Sequence, residues 1–257
     1  MSAHLSPEEA LRYHRQVTLA EIGEHGQEKL KHARVFLAGL GGLGSVSALY
    51  LAAAGVGHLH VVDRDRVELE NLNRQLLHFT GDIGKRKAES AANKLDALNP
   101  HCRVTAVHET ITMENGDRLV GDAQLIVDGT DNVETRRILN RISLRKGIPF
   151  VLGGVDGMTG MVTLFVPGRT PCFECLFPDR PSAKGPPGVL GPLPGIIGSI
   201  QALVAIKFLV GLTHGLLESR LLYVDGIRLN FKTIKLGKNA QCPVCGGNFN
   251  PESSSHA

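Results

Sequence analysis

Through residue 154, short apolar blocks alternate with longer stretches of mixed polarity. RVFLAG (Arg34 to Gly39), HLHVVD (His58 to Asp63), CRVTAVHE (Cys102 to Glu109), QLIVD (Gln124 to Asp128) and PFVLGG (Pro149 to Gly154) have strand length and many β-branched residues. Between them the pattern predicts helices over Gly42 to Gly55, from about Lys85 to Leu98, and from about Asn132 to Lys146, with a short one after Glu109. Asn99-Pro100 ends the second of these. Strands alternating with helices at this spacing mean right-handed crossovers and a parallel sheet. Ahead of them, Ser6-Pro7-Glu8-Glu9 supplies an N-cap, a proline at the first helical position and acids in the first turn. A helix is therefore predicted from residue 7, carrying Arg12 and Arg15 three apart on one face.

Beyond Gly154 the pattern changes. MVTLFVPG, RLLYVDG and LNFKTIKL are strand-like, and no helix separates the last two, so the sheet is expected to finish antiparallel. The longest apolar run, Ile196 to Leu212, carries Gln201 and Lys207 and is short for a membrane span; it reads as a buried helix. The expected class is α/β: a Rossmann-like, mostly parallel sheet flanked by helices, with C-terminal antiparallel strands. The chain divides into an N-terminal helical segment (1–33), a first half (34–154), a second half (155–248) with a Pro- and Gly-rich mobile loop at 179–194, and a disordered tail (249–257).

Composition narrows the function classes. The 257 residues can bury a proper core, and a net charge of +3 without basic–aromatic runs argues against nucleic acid as a partner. The polar start MSAHLSPEEALRYHRQ is not a signal peptide. Four of the five cysteines form two C-x-x-C pairs, which without an export signal favours metal over disulfide, and the cytosol as compartment.

In an open parallel sheet, ligands sit outside the carboxyl ends of the strands. Gly39 to Gly44 (GLGGLG) ends the first strand, Asp63 the second, and Asp131 in GTDN follows the fourth, so three candidate ligands converge on one edge. Gly39, Gly41, Gly42 and Gly44 would let backbone approach a phosphate or ribose at a helix N-terminus. Gly41 and Gly42 could equally serve only close packing. Asp63 suits ribose hydroxyls or a strand-end cap; Asp65 reads as a turn residue.

Asn71 and Arg74 in NLNRQ lie three apart, on one face of a helical turn, and Arg74 offers a planar fork for phosphate oxygens. Lys87 adds a point charge at the next helix start, whereas Lys85 and Arg86 read as solvated surface. Asp131 could hold Mg²⁺ through oxygen or simply cap a helix. Cys172, Cys175, Cys242 and Cys245 give C-x-x-C, sixty-six intervening residues, then C-x-x-C, a donor set for closed tetrahedral Zn²⁺. Cys102 reads as a buried small hydrophobe, and the histidines as surface or packing residues.

RYHRQ (Arg12 to Gln16), GLGGLG, VVDRD, NLNRQ, the lysine of GKRK, DGTDN, PCFEC and QCPVC occur in this order over about residues 5 to 248. Together they resemble the MoeB/ThiF/HesA adenylyltransferases, bacterial relatives of ubiquitin-activating enzymes. The resemblance implies that Asp63 binds ribose. It further implies that Asn71, Arg74 and Lys87 hold the ATP triphosphate, with Asp131 and Asn132 beside it and Mg²⁺ on Asp131. Arg15 would reach the partner's site across a homodimer. The reaction implied is adenylation of the C-terminal glycine carboxylate of a small ubiquitin-like sulfur-carrier protein ending in Gly-Gly, releasing pyrophosphate. The first half would then bind nucleotide, and the second would bind the carrier and carry the zinc knuckle pair. Some relatives carry a transfer cysteine in the loop over the site. Here Phe177 to Gly198 has none, so sulfur would come from a separate donor.

Three other readings stand beside this one. The glycine loop and Asp63 would serve a nicotinamide-dependent oxidoreductase, although NAD does not need Arg74, Lys87 or Asp131. A non-catalytic carrier-binding module would not need the phosphate ligands. The same chemistry could also act on a peptide or a tRNA-linked carboxylate.

Overall fold

The structure is a computed structural model describing residues 4–178 and 188–246. Its frame is one eight-stranded sheet in the order β3-β2-β1-β4-β5-β6-β7-β8. The strands are β1 (Arg34–Ala38), β2 (His58–Val62), β3 (Arg103–Val107), β4 (Leu125–Asp128), β5 (Phe150–Asp156), β6 (Thr159–Phe165), β7 (Arg220–Asp225) and β8 (Asn230–Lys235). The first five run parallel, with Ala38 level with Val62 on one side and Asp128 on the other. From β5 onward every pairing is antiparallel, as the helix-free spacing of the later strands requires. The chain leaves β1 toward β2 on one side and returns to β4 on the other. That reversal opens a crevice at the carboxyl ends of β1 and β4.

The helices are α1 (Pro7–Arg12), α2 (His14–Val17), α3 (Gly23–His32), α4 (Gly42–Ala53), α5 (Lys87–Leu98), α6 (Gly116–Val120), α7 (Val133–Lys146), α8 (Phe173–Leu176) and α9 (Pro192–Val210). Two apolar layers sandwich the sheet. Leu37, Leu59, Leu125 and Val151 face Leu51, Leu95 and Ile197, while Phe36, Ile126, Phe150 and Leu152 face Leu119, Leu139 and Ile142. Strand residues buried on both faces explain the continuous apolar runs in the sequence. α9 is the one helix among the described residues long and apolar enough to cross a membrane. It runs past α4, β5 and β6 with half of that length buried.

Several boundaries depart from the sequence pattern. The N-terminal helix breaks at Tyr13, so Arg12 and Arg15 do not share a helical face. The break buries the Tyr13 ring and lets its hydroxyl accept from Asn99 Nδ2 at 2.8 Å. Arg12 bonds the Leu98 carbonyl instead. α5 starts at Lys87 rather than Lys85, because Arg86 is extended and bridges to Arg66. β5 continues to Asp156, since its hairpin with β6 turns at Gly157 (φ +55°) and pairs the added residues. Of the loop expected at 179–194, residues 179–187 lie outside the described residues, as does the tail; Pro192 to Pro194 open α9.

Candidate functional site

The crevice is built around the glycine loop. Gly39 has φ +83°, and a Cβ on it would lie 2.8 Å from the Gly129 carbonyl oxygen. A Cβ on Gly44 would lie 1.9 Å from the Gly39 oxygen, so the turn closes only without side chains there. Gly41 is the N-cap of α4, with no side-chain cap, and with Gly42 it lines the pocket. The opening N–H groups of α4 therefore present an uncapped helix N-terminus, which favours an anion.

Asp63, almost wholly buried, sits where β2 ends. Its Oδ2 accepts from Leu40 N and its Oδ1 from Asp65 N, each at 2.7 Å. Each carboxylate oxygen keeps a second lone pair. Burial pushes its pKa up, against the opposing pull of the Lys87 ammonium and the two backbone donors. Lys87, 5% exposed, is the first residue of α5, and its Nζ lies 3.1 Å from Asp65 Oδ2. Asp65 thus belongs to the site, contrary to the turn reading. The signal available was its place two residues after Asp63 in VVDRD.

Arg74 lines the same pocket; its Nη1 donates to Glu70 O (2.7 Å) and Asn73 Oδ1 (3.1 Å). These neutral acceptors fix the guanidinium without neutralising it. Asn71 does not line the pocket. It is buried beneath the 3₁₀ turn Leu69–Asn71, its Oδ1 accepting from Glu68 N at 3.1 Å, and its carbonyl accepts from Arg74 N and Gln75 N. Its place is under the turn that presents Arg74. Gln75, which the sequence reading passed over, is buried and lines the pocket, and its Oε1 has no partner among the described residues.

On the β4 side the capping residue of α7 is Asn132, whose side chain accepts from Thr135 N at 2.8 Å. That leaves Asp131 exposed in the pocket lining, without a hydrogen-bond or ion-pair partner among the described residues. The loop is held from below by a pair the sequence did not reveal. The fully buried Asp128 receives Arg136 Nε at 2.9 Å and the Thr130 hydroxyl at 2.6 Å, while Arg136 Nη2 donates to the Thr130 and Gly153 carbonyls. Breaking such a pair strands a buried charge, so this clamp is rigid.

Arg15 is exposed on α2 and does not line the pocket. Gln16 beside it donates to the Ala54 carbonyl (3.0 Å) and to Gln27 Oε1 (2.7 Å), pinning α2 to the far end of α4. Twelve helical residues span about 18 Å, so Arg15 stands a helix length from its own glycine loop.

The four paired cysteines meet at the other end of the chain. Cys172 caps α8 and Cys175 lies within it, while Cys242 and Cys245 share a tight turn closed by Gly246 N to Cys242 O. All four sulfurs lie within 4.8 Å of one another, with pairs at 3.3, 3.7 and 3.9 Å. Tetrahedral zinc with bonds of about 2.3 Å needs edges of about 3.8 Å. Four thiols at this spacing fit zinc, with no position left open for substrate. Cys102 is remote from the cluster, buried, and pushed up to about 12 by that burial, so it is inert as a nucleophile.

Fold and pocket together define a Rossmann-like protein with a glycine-loop pocket lined by Arg74 and Lys87 and a four-cysteine cluster whose spacing fits a metal ion. The chain belongs to the ThiF family, whose sequence profile matches residues 13–244. It is 43% identical over 250 residues to the adenylyltransferase and sulfurtransferase MOCS3 of Culex quinquefasciatus, covering 95% of this chain and 57% of that protein. The chain thus spans little more than half the length of that relative. The sulfur carrier protein adenylyltransferase of Thermus thermophilus is 42% identical, with 93% and 92% of the two chains covered. Among solved structures, E. coli MccB superposes with a TM-score of 0.83 at 25% identity, over 95% of this chain and 74% of that one. PaaA gives a TM-score of 0.80 at 28% identity, over 93% and 77%.

Proposed function

We propose that this protein uses ATP to adenylate the C-terminal carboxylate of a small sulfur-carrier protein and releases pyrophosphate. The observation that carries the reading is the convergence of the glycine loop, Asp63, Arg74, Lys87 and Asp131 on one pocket at the β1/β4 crevice. The reaction joins a carrier carboxylate oxygen to the α-phosphorus and breaks the bond from that phosphorus to the α–β bridging oxygen. Both reactants are anions, so the barrier is lowered by positioning and charge neutralisation. A carboxylate is already ionised at neutral pH, and no proton has to move.

Asp63 accepts the ribose hydroxyls. The α4 N-terminus faces the phosphates, and Arg74 and Lys87 offset the charge that passes to pyrophosphate. Asn132 stiffens the loop that carries Asp131. The Asp131 carboxylate, without a partner among the described residues, would hold Mg²⁺, which would supply further neutralisation of the phosphate charge. Sulfur arrives from a separate donor after adenylation. The 42% identity to a protein named sulfur carrier protein adenylyltransferase favours that substrate over one resembling the MccA with which MccB structures, at 26% identity, were solved. A nicotinamide dinucleotide would leave Arg74, Lys87 and Asp131 without a task. The direct test is ATP–pyrophosphate exchange with a carrier protein ending in Gly-Gly. Exchange that ignores the carrier, or none at all, would sink the assignment.

A homodimer completes the site, with Arg15 reaching the partner's pocket, since within one chain it stands a helix length away. Arg15→Ala and Asp131→Ala are each expected to be inactive alone. After subunit exchange, mixed samples should regain activity, because one of the two sites in a hybrid dimer is wild type at both positions. No recovery once hybrids are demonstrated by mass would refute action in trans.

Asp63 also makes nucleoside affinity pH-dependent. The ribose hydroxyls donate to the ionised carboxylate, so binding is fully present above its raised pKa and is lost as pH falls through it. Adenosine, which carries no phosphate, is expected to lose affinity at a higher pH than an ordinary aspartate would dictate. Asp63→Asn should bind weakly with a flat profile. Titration calorimetry at a series of pH values from acid to neutral reads both.

A further inference from the structure

His78 takes no part in the chemistry above, yet it is 3% exposed and lies between the glycine loop and α5. Its Nε2 stands 3.1 Å from the Leu40 carbonyl oxygen and its Nδ1 3.0 Å from Ser90 Oγ. A carbonyl can only accept, so the proton is on Nε2 and Nδ1 carries the lone pair. Ser90 must then donate its hydroxyl hydrogen to Nδ1. It can do so because the Lys94 ammonium, 2.8 Å away, donates to the same oxygen and leaves that hydrogen free. On the other side of Leu40, the peptide N–H donates to Asp63 Oδ2 at 2.7 Å. Every donor and acceptor along Lys94, Ser90, His78, Leu40 and Asp63 is thus assigned in one sense.

We propose that His78 is a positioning residue for ribose recognition: its Nε2–H sets the carbonyl of Leu40, whose N–H in turn sets the carboxylate of Asp63. The role rests on the ribose reading of Asp63. Burial keeps the imidazole neutral, pushing its pKa down to about 4, with Lys87 and Lys94 adding to the fall and the Leu40 carbonyl opposing it. The assigned tautomer therefore persists through neutral pH. The Leu40 carbonyl also receives the Ser45 hydroxyl at 3.0 Å. Loss of the imidazole consequently does not orphan that carbonyl. It loosens the Leu40–Gly41 peptide, which meets at the Leu40 Cα the Gly39–Leu40 peptide whose N–H aims Asp63, and it removes a ring that bonds both the loop and the helix bearing Lys87.

The experiment compares binding of ATP and 2′,3′-dideoxy-ATP by calorimetry, using the full chain. Wild type should prefer ATP by roughly tenfold or more, the value of hydrogen bonds to a charged acceptor. His78→Leu should shrink that preference to about threefold or less while dideoxy-ATP affinity stays within about threefold of wild type. His78→Gln, which keeps an N–H for Leu40, should restore most of the preference. A merely space-filling histidine would weaken both nucleotides alike, and that result overturns the proposal. Asp63→Ala separates the two ideas. If it erases the preference while His78→Leu and Ser90→Ala leave it intact, the role of His78 is wrong and the ribose reading stands. If Asp63→Ala leaves the preference intact, both fail. Should His78→Leu not fold, Ser90→Ala keeps the ring and removes the donor to Nδ1, while Lys94 loses one acceptor and keeps Asp82 and the Ser90 carbonyl. It is expected to cost about threefold in the ATP preference alone.

Discussion

Replacing Asp131 by alanine is expected to lower carrier-dependent ATP–pyrophosphate exchange by about two to three orders of magnitude, with the fold unchanged. The stability half of this expectation follows from its surroundings: Asp131 is exposed, lacks a protein partner among the described residues, and leaves the capping of α7 to Asn132. Substitutions at such positions shift stability by about 0.5 kcal/mol or less. Asn132→Ala, by contrast, removes a real cap and should cost about 1 kcal/mol. The activity half follows from charge, since among the described residues no other on the β4 side of the pocket presents an unneutralised carboxylate for Mg²⁺. Asp131→Asn keeps the shape and loses the charge, so it should be nearly as damaged as Asp131→Ala. Arg74→Ala should fall by a similar factor through loss of phosphate contacts. Exchange at wild-type rates in both Asp131→Ala and Arg74→Ala, each shown to fold by circular dichroism, would remove the basis for the proposed chemistry.

How far these residues could be read without coordinates depended on whether their neighbours in space were also neighbours in sequence. The five parallel strands were legible because residues buried on both faces make unbroken apolar runs, and the glycine loop because its close approaches admit no side chain. Strand ends alone put Asp63 and Asp131 at the crevice, but a capping role read equally well for each until the structure gave the α7 cap to Asn132. The roles of Asn71 and Asn132 were not, because a carboxamide that could meet a phosphate could as well close a turn. In both, a backbone N–H, of Glu68 and of Thr135, takes the side-chain oxygen, yet Asn132 still lines the pocket whereas Asn71 does not. The supports of the site were hidden for a different reason. Arg136 reaches Asp128 over eight residues, and His78 reaches Leu40 over thirty-eight; neither spacing has a local signature. The break at Tyr13 likewise answers to Asn99, eighty-six residues away. Tertiary partners of this kind override the helical pattern that Ser6 begins.

Zinc is the second large effect. The purified protein is expected to carry about one Zn²⁺ per chain. Cys242→Ser should lose most of it and melt roughly 10 °C lower, as about 3–5 kcal/mol is lost at a few degrees per kcal/mol. The reason lies in what the cluster joins. Cys172 and Cys175 follow β6, whereas Cys242 and Cys245 follow β8, and among the described residues the sulfurs have buried Leu144 and half-buried Val244 as apolar support. β8, which leads into that turn, is exposed along its whole length. Metal ligation would therefore stand in for a hydrophobic core at this end of the sheet. Cys102→Ser is the matched control: it places a hydroxyl in a buried apolar site and should destabilise modestly while zinc content stays at one. Chelation of the wild-type protein should reproduce the Cys242→Ser melting curve, and with the pocket at the opposite side of the β4–α7 unit, nucleotide binding should persist at temperatures below that transition. A metal-free preparation that melts where the zinc-loaded protein does would show that the cysteines pack without ligating.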